Sequence, residues 1–138
     1  MKRIALALAA ALPLLAPIAA TPVQAAPAAK PIPTRTVVMQ DRKFHPQVIR
    51  LRINVPTRIV LVNRDVSGHN FSAKGFFARA DIRDARGGMQ AIREGIVTVP
   101  SQSTREFVVT PRARGPFDLT SSVALDVASG MQGQILVY

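Results

Sequence analysis

The segment SSVALDVASGMQGQILVY, residues 121–138, decides the fold assigned to this chain. Its last part, QGQILVY, is a short apolar run of the kind that forms a buried β-strand. Just before this run, Met131 lies between Gly130 and Gly133 in a stretch of small residues. The segment contains no cysteine and no histidine. It therefore places a thioether at the start of a strand without the stronger metal ligands that would make a metal site evident.

The N-terminal segment has the pattern of a secretory signal peptide. A basic start precedes an apolar stretch that Pro13 and Pro17 interrupt, and small residues lead up to Ala25. The apolar run is short and no stop-transfer pattern follows it, so we expect cleavage after Ala25 and no transmembrane segment thereafter. Export of this kind predicts a periplasmic location. The division that follows is a signal peptide over residues 1–25, a Pro/Ala-rich tether over 26–33 and one domain over 34–138.

The composition narrows the classes of function. The chain has no cysteine, so it has neither disulfides nor a thiolate for metal binding or catalysis. It carries 18 Lys and Arg against 8 Asp and Glu, and removing Lys2 and Arg3 with the leader leaves 16 against 8, a net charge of +8. This charge favours an acidic partner, and in the periplasm that is a periplasmic or membrane protein. The arginines are dispersed and few aromatics accompany them, which argues against nucleic acid.

The residue periodicity of the domain is that of β-strands. In QVIRLRINV (47–55), Ile49 and Leu51 alternate with Arg50 and Arg52, which predicts a half-buried strand with its arginines facing water. RIVLVNRD (58–65) is a continuous apolar run, which predicts a strand buried on both faces. Further strands are predicted over 35–40, 69–73, 95–99, 105–111, 115–121 and 132–138. Several short strands separated by Gly, Pro and Ser indicate an all-β sandwich or barrel.

One segment departs from this pattern. GFFARADIRDARGGMQAI (75–92) holds apolar residues at roughly helical spacing, and Gly87 and Gly88 would end a helix. We therefore predict one short helical excursion around residues 76–88.

The order of these elements resembles the cupredoxin family, the Greek-key β-sandwich of blue-copper proteins. The resemblance runs from DRKFHPQVIRLRINVPTRIVLVNRD through DVSGHNFSAKGFF and GIVTVPSQSTREFVVTPRARGPFDL to SGMQGQILVY, and so covers nearly all of the domain. Asn63, His69 and the pattern Gly130-Met131-x-Gly133 stand at matching places. The resemblance implies a cupredoxin-like Greek-key sandwich with a copper position at one end.

The family's copper ligands are only partly present. A blue-copper site combines two imidazoles, one thiolate and a weak axial methionine, since soft sulfur suits Cu(I). The resemblance assigns His69 to the first histidine and Met131 to the axial ligand. The family's last loop reads Cys-x4-His-x4-Met, which puts Asp126 at the second histidine position and Ser121 at the cysteine position. Hydroxyl and carboxylate oxygens are hard donors, so no blue-copper electron-transfer centre can form on this chain.

The remaining residues leave two interpretations open. In the first, His69, Met131 and Asp126 bind a non-blue metal ion, while Asn63 or Asn70 holds the second ring nitrogen of His69. In the second, His69 is an ordinary hydrogen-bonded histidine and Met131 fills the core. Asp126 is then exposed at the loop tip or paired with His69 or an arginine, because a lone buried carboxylate is unfavourable.

An enzyme is not expected. Ser121, His69 and Asp126 are the residue types of an acyl-transfer site, yet there is no nucleophile-elbow motif, no evident oxyanion loop and no Gly-rich phosphate loop. His45, which precedes Pro46 at a predicted strand edge, is expected to be exposed. The sequence therefore favours a periplasmic cupredoxin-like binding or accessory module that does not carry electrons; no cofactor is firmly predicted, and non-blue copper is the one left open. The alternative is a non-blue copper or iron binding or trafficking protein that uses His69 and Met131.

Overall fold

The computed structural model describes residues 30–83, 92 and 94–138, and within them the chain forms ten strands and two short helices. In chain order these are β1 (Thr34–Gln40), β2 (Lys43–His45), β3 (Val48–Leu51), β4 (Thr57–Asn63), β5 (His69–Ser72), α1 (Lys74–Phe77), β6 (Ala80–Arg83), β7 (Ile96–Val99), β8 (Thr104–Pro111), β9 (Gly115–Thr120), α2 (Ala124–Ala128) and β10 (Gln132–Val137). Neither helix is long and apolar enough to cross a membrane.

The strands form two five-stranded sheets. The first has the order β2-β1-β4-β8-β6 and the second the order β3-β10-β9-β5-β7. From β2 to β9, successive strands alternate between the two sheets. Two pairs are parallel, β1 with β4 and β3 with β10, and the other pairs are antiparallel. The prediction of an all-β sandwich is confirmed.

The burial of individual strands follows their sequence pattern. In β3, Ile49 and Leu51 are buried, whereas Arg50 and the following Arg52 are exposed. The central strand β4 is buried on one face but only half-buried on the other. Its continuous apolar run had predicted burial on both faces, so the outer face is less covered than expected. The register of β1 on β4 brings Met39 opposite Asn63, so the turn after β1 lies beside the loop after β4. This proximity positions the site described below.

Phenylalanines join the two sheets in the core. Ring centroids lie 5.5 to 6.2 Å apart in the pairs Phe44–Phe71, Phe71–Phe77, Phe76–Phe77, Phe76–Phe117 and Phe77–Phe107. Tilted and edge-to-face contacts of this kind add about 0.5–1.5 kcal/mol per pair beyond the area they bury. Since the chain has no cysteine, apolar packing takes the place of disulfides in stabilising the domain.

The predicted helical excursion around 76–88 is placed differently. Helix α1 begins earlier, at Lys74, and ends at Phe77, with Phe76 and Phe77 buried in the core. Residues 80–83 form strand β6 on the edge of the first sheet, paired with β8. Ala80 and Ile82 are two residues apart, which is the spacing of one face of a strand, and β6 pairs with β8 in the structure. Residues 84–88 lie outside the described part of the chain.

Candidate functional site

The centre of the site is His69, the first residue of β5, whose side chain is fully buried. Its Nδ1 lies 2.7 Å from Oδ2 of Asp126, and its Nε2 lies 2.8 Å from Oδ2 of Asp65. An ionised carboxylate can only accept hydrogen bonds, so this geometry fits a ring that carries hydrogen on both nitrogens. His69 thus bridges two carboxylates, and both of its ring nitrogens are occupied by hydrogen bonds.

Asp126 reaches His69 from helix α2 and is 1% exposed. Its Oδ2 accepts a hydrogen bond from Oγ of Ser121 at 2.7 Å in addition to the bond from His69. The single turn of helix points Asp126 inward and leaves its neighbours Leu125 and Val127 exposed. Of the placements that the sequence left open for Asp126, the structure shows pairing with His69.

Asp65 approaches His69 from the loop after β4. Its Oδ1 accepts the N–H of Asp41 at 2.9 Å, and its Oδ2 accepts the N–H of Arg42 at 3.0 Å. Asp41 and Arg42 form the two-residue turn between β1 and β2, with φ of 56° and 52°. Both angles are in the left-handed region, which a two-residue hairpin of this type requires and which glycine or asparagine normally supplies. The carboxylate of Asp65 therefore stabilises a strained turn while it binds His69.

The surroundings of Asp65 favour its ionised form. Partial burial acts to raise the pKa of Asp65, but the hydrogen bonds from Arg42, Asp41 and His69 and the positive charge of His69 outweigh it. The net result is a pKa below the ordinary value of 3.8. The folded protein thus binds a proton at Asp65 less readily than the unfolded chain does.

This lowered pKa predicts a dependence of stability on pH. A carboxyl whose pKa is lower in the folded state contributes stability that is fully present above the unfolded value and is lost as pH falls through the folded value. We expect the free energy of unfolding of the wild type to fall on acidification below about pH 4, and Asp65→Asn to lose that part of the pH dependence. Urea unfolding at a series of pH values measures it. Asp118→Asn, which alters an exposed carboxylate of β9, is the control, and equal slopes for wild type and Asp65→Asn would contradict the assignment.

Ser121 and Met131 complete the loop around His69. Oγ of Ser121 donates to Asp126 and accepts the N–H of Val123 at 3.3 Å. The N–H of Met131 donates to the carbonyl of Asp126 at 2.9 Å, and the N–H of Ser121 donates to the carbonyl of Met131 at 3.2 Å. The side chain of Met131 is 2% exposed and belongs to the hydrophobic core. Ser121 and Asp126, which the resemblance assigns to the lost ligand positions, are therefore hydrogen-bonded to each other, and Asp126 is hydrogen-bonded to His69.

Asn63 and Asn70 were predicted to hold the ring of His69, and both form hydrogen bonds with other groups instead. The amide of Asn63 is buried and donates to the carbonyls of Ser67, Val99 and Pro100, while its oxygen accepts the N–H of Asp65. Asn63 thus shapes the loop that carries Asp65.

Asn70 donates from its side chain to Oγ of Ser122 at 2.7 Å. The second ring nitrogen of His69 is bound instead by Asp65, which was not among the predicted partners of His69. The available signal was an acidic residue four positions before the histidine in NRDVSGH.

The residues present do not fit a blue-copper ion. There is no thiolate, Ser121 donates its hydroxyl hydrogen to Asp126, and both nitrogens of His69 face carboxylates. Among residues 30–83, 92 and 94–138, no group of three or more His, Cys, Asp or Glu side chains is arranged to hold a metal ion. A non-blue ion bound by His69, Met131 and Asp126 stays a prediction, because it requires displacement of a carboxylate from His69.

The order of contacts also differs from that of a hydrolytic triad. In a triad the histidine lies between serine and carboxylate, so that its free nitrogen takes the proton of the serine. Here the carboxylate of Asp126 lies between Ser121 and His69, and all three side chains are buried. His69 has no nitrogen free to act as a base toward Ser121.

The fold is a two-sheet β-sandwich of the cupredoxin type, and at one end of it a buried histidine is hydrogen-bonded to two carboxylates. The family profile of the cupredoxin-like domain matches residues 5–137, and the chain belongs to this family. No protein in a search of curated sequences matches the chain. Because the chain has no cysteine, it is not a typical blue-copper carrier.

Solved structures with the same architecture include single domains and parts of larger proteins. Auracyanin B is similar over 84% of this chain and 93% of its own length, with a TM-score of 0.57 and 16% identity. A laccase from Pediococcus acidilactici is similar over 86% of this chain and 29% of its own length, with a TM-score of 0.59 and 16% identity. A multi-copper oxidase from the same organism covers 92% of this chain with 30% of its own, at a TM-score of 0.56 and 16% identity. At these identities the likeness concerns the fold alone.

Proposed function

We propose that this chain is a periplasmic cupredoxin-like binding or accessory module that neither carries electrons nor catalyses a reaction. The observation that carries the proposal is the pair of hydrogen bonds from His69 to Asp126 and Asp65. They replace a redox centre with a salt-bridged cluster, which stabilises the copper end of the fold without copper. What this end then offers to other molecules is its surface.

That surface combines exposed apolar side chains with positive charge. Val66, Leu125 and Val127 are 90%, 62% and 61% exposed. Val66 follows Asp65, and the other two flank Asp126; since both carboxylates bind one ring, the three apolar residues lie at one end of the sandwich. Arg42 and Arg64 line a cleft of about 490 Å³ beside Val66, together with Asp41 and Asp65. The carboxylate of Asp65 is occupied by His69 and by the N–H groups of the β1–β2 turn. Apolar side chains edged by guanidinium groups suit a partner protein with an apolar centre and an acidic rim.

The partner-binding role can be tested by site-specific photocrosslinking in the periplasm of the producing cell. With a photoreactive amino acid at Leu125, we expect a crosslinked product of one discrete size. The same probe at Asp118, exposed on the outer face of β9, should give none. The yield at Leu125 should fall at high salt in isolated periplasm, since charges at the rim are screened. Equal products from both positions, or none from Leu125, would contradict a binding role for this end.

The alternative, a non-blue copper or iron protein built on His69 and Met131, gains no support from the contacts of His69. An incoming ion competes with Asp126 for Nδ1 and with Asp65 for Nε2. Copper titration of the wild type and of His69→Ala decides between the two functions.

A further inference from the structure

A second cleft lies at the end of the sandwich far from His69. Strand β1 begins beside this cleft with Thr34 and ends at Gln40, where the next residue, Asp41, contacts Asp65. Six residue steps of a strand, from Arg35 to Asp41, span about 20 Å. The cleft encloses about 260 Å³ between the start of β1, the end of β3 and the start of β4. It is therefore independent of the site described above and of the function proposed for it.

Three arginines line this cleft, Arg35, Arg50 and Arg52. Within residues 30–83, 92 and 94–138, none of the three forms a salt bridge. Other arginines of the domain do have carboxylate partners: Arg58 pairs with Glu106, and Arg112 pairs with Asp81. The cleft thus gathers three guanidinium groups that form no salt bridge within the part of the chain that the structure describes, and Tyr138, the last residue of the sequence, lies beside them.

Arg35 is fixed in place by main-chain contacts. It stands on β1 of the first sheet, and its Nε donates to the carbonyl of Arg50 on β3 of the second sheet at 3.2 Å. One terminal nitrogen donates to the carbonyl of Thr34 at 3.2 Å. These bonds leave other N–H groups of Arg35 available, because a guanidinium carries five. Arg50 and Arg52 have no side-chain hydrogen bond within the described residues, so their groups are free to close on a ligand.

The rest of the lining is largely apolar. Pro33, Val55 and the ring-bearing Tyr138 border the arginines, and Thr57 uses its hydroxyl to donate to the carbonyl of Val55. The volume is about nine times the ~30 Å³ that one water molecule occupies in the liquid. It has room for an anionic group and a small organic portion that would contact the apolar lining.

We propose that this cleft binds a phosphate ester. A phosphate monoester carries a charge of about −1.5 to −2 and three strong acceptor oxygens, which match three guanidinium groups in charge and in geometry. The organic portion packs on Pro33, Val55 and Tyr138. The phosphate comes either from a small soluble ester or from the headgroup of an anionic phospholipid, since both present the same chemistry to the arginines.

The test uses the purified protein labelled with ¹⁵N, with inorganic phosphate, glycerol phosphate and phosphatidylglycerol vesicles as three separate probes. We expect saturable shifts of amide signals in residues 50–57 with glycerol phosphate and weaker ones with inorganic phosphate. Sedimentation with phosphatidylglycerol but not with phosphatidylcholine vesicles assigns the headgroup as the source. Binding of the soluble ester without sedimentation assigns a small ligand.

Matched variants separate the cleft from general charge. Arg50→Gln with Arg52→Gln should weaken binding about tenfold or more, because two charge-assisted contacts are lost. Arg83→Gln with Arg105→Gln removes the same charge from residues that do not line the cleft and should change binding less than about twofold. Arg50→Lys with Arg52→Lys keeps the charge without the planar fork and should fall between them, and it serves if the glutamine variant fails to fold. Equal losses in the two glutamine variants, or no binding of any probe, would overturn the proposal.

Discussion

Replacing Asp126 with alanine is expected to lower the free energy of unfolding by about 3–5 kcal/mol, because it removes one partner from a buried ion pair. The substitution leaves Nδ1 of His69 without its acceptor at a fully buried position, and Ser121 loses the acceptor of its hydroxyl. Both polar groups lie where water does not replace the lost bond. The effect should thus exceed that of an ordinary surface carboxylate by several kcal/mol.

Chemical denaturation at neutral pH measures this difference, and two variants calibrate it. Asp118→Ala removes an exposed carboxylate and should change the free energy of unfolding by less than about 0.5 kcal/mol. Asp126→Asn keeps an oxygen acceptor but not the charge, so its loss should lie between those of the two alanine variants. A loss of under about 1 kcal/mol for Asp126→Ala would show that His69 is not held as a buried imidazolium.

Much of the fold follows from local patterns in the sequence. The alternation of Ile49 and Leu51 with two arginines specifies both the strand and its exposed face, and the structure agrees. The resemblance to cupredoxins assigned Ser121 and Asp126 to former ligand positions, and in the structure Asp126 is hydrogen-bonded both to His69 and to Ser121. The inward direction of Asp126 did not follow from the spacing of the loop. It depends on the single turn of helix α2, which is too short to produce a periodic pattern.

The role of Asp65 could not be read from local sequence, since it depends on contacts between distant segments. Asp65 binds the N–H groups of Asp41 and Arg42, which are 24 and 23 residues away. Those groups point toward it only because the turn adopts left-handed angles and because β1 lies beside β4 in parallel register. The sequence therefore favoured the amides of Asn63 and Asn70 as partners of His69. The tertiary structure instead brings the carboxylate of Asp65 to this position.

The double variant Ser121→Cys with Asp126→His is expected to acquire a blue-copper site that the wild type cannot form. In the wild type Oγ of Ser121 and Nδ1 of His69 both lie 2.7 Å from the same oxygen of Asp126. A thiolate and a second imidazole at these positions would converge with His69 on one point. Asp65 still accepts a hydrogen bond from Nε2, which leaves the lone pair of a neutral ring on Nδ1 and directs it to that point. Adding Cu(II) should then produce an intense visible thiolate-to-copper absorption band.

Two comparisons make this result specific to the assigned positions. Asp126→His alone supplies imidazoles without a thiolate and should give no such band. Ser122→Cys with Asp126→His tests the register, since Oγ of Ser122 contacts the side chain of Asn70 and not Asp126. If the shifted variant gains the band and the Ser121→Cys variant does not, the assignment of Ser121 to the cysteine position is wrong.

Calorimetric titration of the wild type with Cu(I) and Cu(II) completes the series and decides the non-blue alternative. Both nitrogens of His69 are bound by carboxylates in the wild type, so His69→Ala should leave any copper heat unchanged. His45→Ala removes an exposed imidazole, and any weak surface binding of copper should fall in that variant. Copper binding that His69→Ala abolishes and His45→Ala retains would establish a non-blue metal site and refute the accessory role. Binding unaffected by His69→Ala, together with a band in the double variant, would mean that the fold keeps the geometry of a copper site whose ligands have been exchanged for an internal ion pair.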